Sequence, residues 1–204
     1  LDAWTKAGQW QASVPPALFG SDVYGKTLGI VGMGNIGAAV ARRGRLGFNM
    51  PILYSGNSRK TALEQELGAQ FRSLDQLLAE ADFVCLVVPL SEKTRHLISQ
   101  RELKLMKPSA ILVNISRGPV VDEPALIEAL QNGTIRGAGL DVYEKEPLSE
   151  SPLFALKNAV TLPHIGSATH ETREAMANRA LANLRSALLG ERPQDLVNPQ
   201  VFKG

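Results

Sequence analysis

Cysteine is nearly missing from this chain, which carries a single thiol, Cys85, in 204 residues. An internal disulfide and a cysteine metal cluster are therefore both excluded. Cys85 sits inside Phe83-Val-Cys-Leu-Val-Val88, where a small core thiol is the natural reading. Long apolar runs are missing too: none approaches the roughly 20 residues that cross a bilayer, and no secretory signal pattern opens the chain. Charge of one sign is not in excess either, with 22 lysines and arginines against 20 aspartates and glutamates. That balance gives no footprint for nucleic acid. Arg42, Arg43 and Arg45 form the one basic cluster, and they read as the solvated face of a helix. These absences lead us to expect a soluble, reducing, cytoplasmic setting, with no metal, no membrane and no nucleic acid as partner.

What is present centres on Lys26 to Gly37, K-T-L-G-I-V-G-M-G-N-I-G. Leu28 to Val31 reads as a buried strand, because β-branched residues suit a pleated surface covered on both faces. It runs into Gly32-x-Gly34-x-x-Gly37, and the alanines and valine that follow favour helix. Strand, glycines and helix in that order are the context of a dinucleotide fingerprint. Gly32 would allow the tight turn, Gly34 the approach of a pyrophosphate, and Gly37 the packing of helix on strand. An anion would then rest on the N–H groups of Gly34, Asn35, Ile36 and Gly37 at the positive end of the helix dipole. The alternative is a glycine-rich turn that merely packs tightly.

At 204 residues one large domain with appendages is expected. Residues 11–25 are rich in loop formers and read as an arm. Further strands are expected at Pro51–Tyr54, Phe83–Val88, Ile111–Asn114, Gly137–Asp141 and Val160–Leu162, six in all. Helices are expected from Arg59 to Leu67, and behind capping boxes at Ser73-Leu-Asp-Gln76 and Ser99-Gln-Arg-Glu102. Another should follow the cap Asp122 through Asn132, and the longest should run from His170 to Leu189. Strands alternating with helices predict an α/β, doubly wound, mostly parallel sheet of Rossmann type. Ligands bind outside the carboxyl ends of such strands, which directs attention to the polar residues there.

Four strand ends carry them: Asn114-Ile-Ser-Arg117, Asp141, Glu144-Lys-Glu146-Pro147 and Pro163-His164-Ile-Gly166. Singly, Arg117 is a surface cation, Glu146 a solvated carboxylate and His164 a core histidine. Together they offer a fork for a substrate carboxylate, a proton donor and an acid to orient it.

Asn114-x-x-Arg117-Gly118-x-x-Val121-Asp122-Glu123, Gly139-Leu-Asp141-Val-Tyr-Glu144-x-Glu146-Pro147 and Pro163-His-Ile-Gly166-x-Ala168-Thr169 resemble the signatures of the D-isomer-specific 2-hydroxyacid dehydrogenases. Phe48-Asn-Met-Pro-Ile-Leu-Tyr54 and His164-Ile-Gly-Ser-Ala-Thr-His-Glu-Thr-Arg173 are similar to the bacterial glyoxylate/hydroxypyruvate reductases that also reduce 2-ketogluconate. The resemblance implies that Arg117 binds the substrate carboxylate, that His164 is the acid/base and that Glu146 partners it. It implies that Asp141, Gly166 and the backbone near Ile115 hold the nicotinamide end, with Pro89 and Thr94 beside the cofactor. The substrate would be a small 2-keto acid, and the partner a second copy joined through the cofactor domain. A nucleotide-sensing corepressor on the same fold stays open as an alternative, and formate dehydrogenase is disfavoured by Glu146.

Two departures from the family pattern matter. NAD-preferring relatives carry an acid about 20 residues past the glycines. Here Ser55 stands there, 18 residues past Gly37, followed by Gly56, Asn57, Ser58, Arg59 and Lys60. We therefore expect NADP(H) to be preferred and NAD(H) to be possible, with a polar turn of no preference as the alternative. The family also has a second, smaller domain, and Leu1 begins near where the family chain crosses into the cofactor domain. Residues 1–25 are accordingly expected to be a linker helix and dimerisation arm. Residues 26–167 should form the nucleotide domain, and residues 168–204 a closing helix and tail of a truncated chain.

Overall fold

Four consecutive residues, Leu28–Val31, are buried along their whole length, and the sheet extends from this strand on both sides. The computed structural model describes residues 1–202. Its elements run α1 (Asp2–Lys6), β1 (Leu28–Val31), α2 (Asn35–Phe48), β2 (Ile52–Ser55), α3 (Thr61–Leu67), β3 (Gln70–Phe71) and α4 (Leu74–Glu80). They continue with β4 (Phe83–Leu86), α5 (Gln100–Leu105), β5 (Ile111–Asn114), α6 (Glu123–Gln131), β6 (Gly137–Leu140), β7 (Ala159–Thr161) and α7 (His170–Leu188). The strands pair in the order β3-β2-β1-β4-β5-β6-β7, and every pairing is parallel. The chain winds away from β1 in one direction to β3, then returns to β4 and winds the other way. That reversal between β1 and β4 opens a crevice at their carboxyl ends.

Parallel strands need both faces covered, and two apolar clusters do this. One joins Leu77, Leu78, Leu103, Leu112 and Leu126; the other joins Ile30, Ala41, Met50, Ile52, Tyr54 and Leu67. At the amino ends of the strands, the Asp82 carboxylate accepts from Thr27 N–H at 2.9 Å and from Lys107 Nζ at 2.8 Å. Cys85 lies in the core, and burial pushes its thiol up to about 11. The Arg42 guanidinium forms a bidentate pair with Glu66 on the exposed side of α2, consistent with a solvated basic face.

Both capping boxes form, and Asp122 Oδ1 accepts from Ala125 N–H at 3.1 Å to open α6. The sheet has one strand more than the six expected. Two-residue β3 is too short for any period to reveal. Helix α3 starts at Thr61 rather than Arg59, because the Tyr54 hydroxyl accepts from Lys60 N–H at 2.7 Å and holds that residue in the turn. β4 ends at Leu86, although Val87 N–H still donates to Val31 O at 2.9 Å.

The chain divides into two compact units, Leu1–Pro163 and His164–Gly204. The first holds the whole sheet. In the second, Thr169 Oγ1 caps α7 by accepting from Thr172 N–H at 3.2 Å. Arg179 grips Asp195 through two bonds of 2.5 and 2.6 Å, and Asn183 Nδ2 donates to the same carboxylate. Among the described residues no helix is long and apolar enough to cross a membrane. No cluster of three or more metal-ligating side chains occurs among them.

Candidate active site

The glycine turn lies where β1 ends. Gly32 has φ +104, a conformation side chains rarely adopt, and its N–H donates to Ser55 O at 2.9 Å. A Cβ on Gly37 would stand 2.2 Å from Gly32 O, so α2 can begin this close to the strand only without a side chain there. A Cβ on Gly34 would meet nothing within 4 Å. It faces a groove of about 540 Å³ between the glycine turn, the Ser55–Lys60 turn and the segment from Val88 to Leu97. Asn35 and Ile36 are exposed in the first turn of α2, where helix N–H groups have no intrahelical acceptor.

Of the residues named from the sequence for the cofactor, Gly32, Gly34, Ser55, Asn57, Ser58, Pro89 and Thr94 line this groove. Lys60 and Lys93 line it as well, and among the described residues no carboxylate does. Thr94 acts as the pin of its own turn. Its hydroxyl donates to Pro89 O at 2.6 Å and accepts from Ser91 N–H at 2.8 Å. Arg59 is not among the lining residues; its guanidinium is paired with Glu64 instead.

The second group of polar residues sits at the ends of β5 and β6. Asn114 is buried, and its side chain organises the next three residues. Its Oδ1 accepts from Ser116 N–H at 3.0 Å and from Ser116 Oγ at 2.8 Å, while its Nδ2 donates to Arg117 O at 3.1 Å. This wrapped loop leaves Ile115 and Arg117 exposed, with Arg117 Nη1 donating to Ser116 O at 2.7 Å. Gly118 then lies flat on the neighbouring segment. A Cβ there would come within 1.8 Å of the Tyr143 carbonyl. Asp141, buried after β6, donates its N–H to Asn114 O at 3.0 Å and joins the two strand ends. Glu146 Oε1 accepts from Tyr143 N–H at 3.0 Å. Asp141 and Ile115 are not among the groove-lining residues.

His164 opens the second unit with a left-handed backbone, φ +53, and is exposed. Gly166 follows within a turn that Ala168 N–H closes on Ile165 O at 2.9 Å.

The model of the D-isomer specific 2-hydroxyacid dehydrogenase NAD-binding domain matches residues 1–166. The chain belongs to that family. Glyoxylate/hydroxypyruvate reductase B of Escherichia fergusonii is 58% identical over 199 residues, which cover 97% of this chain and 61% of the relative. A Thermus thermophilus protein of known structure superposes with a TM-score of 0.89 at 47% identity, covering 97% of this chain and 61% of that one. A glyoxylate reductase from Paecilomyes thermophila superposes with a TM-score of 0.86 at 42% identity, covering 98% and 59%. The chain thus spans about three-fifths of the length of the relatives it matches.

In this dehydrogenase-family chain two structural features beside the groove escaped the motif reading. His96 Nε2 lies 2.8 Å from Glu144 Oε1, and the His96 backbone N–H donates to Pro119 O at 2.8 Å, from a conformation with φ +49. Glu144 also accepts from Glu123 N–H at 3.3 Å and donates its own N–H to Glu123 Oε2 at 3.1 Å. The pair ties the groove-side segment to the Arg117 loop and to the turn carrying Glu146. The other feature is Tyr54, whose place on the second strand is visible in sequence while its polar use is not. Glycines that abut a backbone, open lining at Gly34 and acid-free walls all fit a dinucleotide phosphate.

Proposed function

We propose that this chain carries the nicotinamide-binding and much of the catalytic apparatus of an NADPH-dependent reductase of small 2-keto acids. Glyoxylate, hydroxypyruvate and 2-keto-D-gluconate are the substrates we favour, reduced to D-2-hydroxy acids. The groove carries the reading: its walls hold a glycine turn and two lysines, with no carboxylate among the described lining residues, a setting suited to an extra phosphate. The bound nicotinamide would supply the hydride.

The chain's own residues would do the rest. Gly32, Gly34, Asn35, Ile36 and Gly37 would receive the pyrophosphate, and Ser55, Asn57 and Ser58 the adenosine ribose. Arg117 would clamp the substrate carboxylate through its planar fork, its loop prearranged by Asn114. His164 would deliver the proton that the developing alkoxide requires, and Glu146 would steady its charged form.

Fluorescence titration of the 204-residue chain is expected to show tighter binding of NADPH than NADH. Ser55→Asp should flatten or reverse that order by repelling the 2′-phosphate. Equal dissociation constants in the parent would overturn the cofactor assignment. Oxidation of NADPH by a panel of 2-keto acids in the full-length protein separates a reductase from a nucleotide-sensing binding protein. We also propose that residues 1–25 clasp a second copy, since Trp10, Phe19 and Tyr24 are all exposed there. Light scattering should then give a dimer, and a monomer at micromolar concentration would exclude the arm.

A further inference from the structure

The Ser55–Lys60 turn carries two cations, and the structure treats them differently. Tyr54 is fully buried on β2, yet its hydroxyl donates to Glu64 Oε1 at 2.6 Å and accepts from Lys60 N–H at 2.7 Å. Glu64, in the first turn of α3, accepts in turn from Arg59 Nε at 3.1 Å and Nη2 at 2.7 Å. Its side chain is 16% exposed, against 66% for Arg59. Hydrogen bonds from Arg59 and Tyr54 hold the Glu64 carboxyl below the ordinary carboxylate range. The guanidinium fork is therefore already engaged by a carboxylate, which an incoming anion would have to displace or share. Lys60 is fixed through its backbone by Tyr54 and lines the groove, and its ammonium has no such carboxylate partner among the described residues.

We infer that Lys60 is the residue that selects a 2′-phosphorylated dinucleotide, and that Glu64 limits this preference by holding Arg59 in a rival pair. The inference rests on the NADPH reading above and assigns its selectivity within the turn. A 2′-phosphate arriving beside Ser55 would meet the Lys60 ammonium without breaking an existing bond. To recruit Arg59 as well, it must share the guanidinium with a carboxylate that already holds its Nε and Nη2, which reduces the gain from that cation. The Tyr54 hydroxyl connects the two halves: one atom places Lys60 in the turn and Glu64 against Arg59.

The probes are 2′,5′-ADP and 5′-AMP, which differ only in the 2′-phosphate, titrated calorimetrically into the 204-residue chain. In the parent, 2′,5′-ADP should bind more tightly. Lys60→Ala should cut its affinity about tenfold or more, the scale of one hydrogen bond to a charged group, while leaving 5′-AMP binding nearly unchanged; Lys60→Arg should restore it. Arg59→Ala should have a much smaller effect. Glu64→Gln keeps an acceptor for Tyr54 and releases the guanidinium, so 2′,5′-ADP should bind more tightly, and adding Arg59→Ala should erase that gain. Thermal unfolding of each variant verifies the fold. A parent blind to the 2′-phosphate overturns the NADPH reading itself. A parent that prefers it, but loses the preference in Arg59→Ala and keeps it in Lys60→Ala, overturns this inference alone.

Discussion

Replacing His164 with alanine is expected to cost the full-length protein about 10²- to 10⁴-fold in turnover of 2-keto acids, the scale of general acid–base catalysis. The loss should fall on kcat, because the proton reaches the alkoxide only as the hydride is transferred. NADPH affinity should not change, since the glycine turn and the Ser55–Lys60 turn, where we propose that the nucleotide binds, belong to the other compact unit. The backbone complicates the choice of variant. His164 has φ +53, and a side chain held there costs about 1–3 kcal/mol, which alanine gains nothing by keeping. Asparagine tolerates the left-handed region, so His164→Asn preserves the conformation without the imidazole chemistry. Both variants should lose turnover on that scale, and both should bind NADPH. Retained turnover in His164→Asn would remove the histidine from the chemistry.

Gly118→Ala is expected to damage stability and turnover together. The added methyl would overlap the Tyr143 carbonyl at 1.8 Å and stand 2.4 Å from Glu144 N. Both obstacles are backbone, so no side chain can rotate away. Overpacking of this kind costs typically about 1–3 kcal/mol, and the absence of any yielding neighbour argues for the upper end. The displaced segment would be the one carrying Arg117, with Glu146 on its opposing side. A misplacement of about 1 Å in such groups can slow catalysis on the order of a hundredfold. Differential scanning calorimetry should show a lower midpoint, and kinetics a loss in kcat/KM. A variant that melts with the parent would show that the two segments can part without cost.

Much of this was legible because the signals are local. Leu28–Val31 and Ile111–Asn114 form strands over the expected residues, since a buried parallel strand must be an apolar run. The capping boxes at Ser73 and Ser99 depend on residues three apart, so spacing alone exposes them. β3 was missed because two residues carry no period, and only pairing with β2, Leu53 beside Gln70 and Tyr54 beside Phe71, defines it. The same limit hid the His96–Glu144 pair, whose members lie 48 residues apart. Motif reading set Arg59 among the residues expected to bind the cofactor, with Lys60 as a second cation beside it at the end of β2. The structure distinguishes them through Glu64, whose hold on Arg59 depends on how α3 leaves the turn.

The order of the strands bears on how such a chain reaches its native state. Every neighbouring pair is parallel, so no two strands can meet through a tight turn. The central pairing, Leu28 with Phe83, closes a loop that includes α2, β2, α3, β3 and α4. The entropy of that closure must be met before the contact returns any stability, and such non-local pairing slows folding relative to helical bundles. Until β4 arrives, β1 has β2 on one side and a bare row of backbone donors and acceptors on the other. A chain in which β1 and β2 had paired before β4 arrived would present that unpaired strand edge at the centre of the sheet, the place where a second unfolded copy would most readily add.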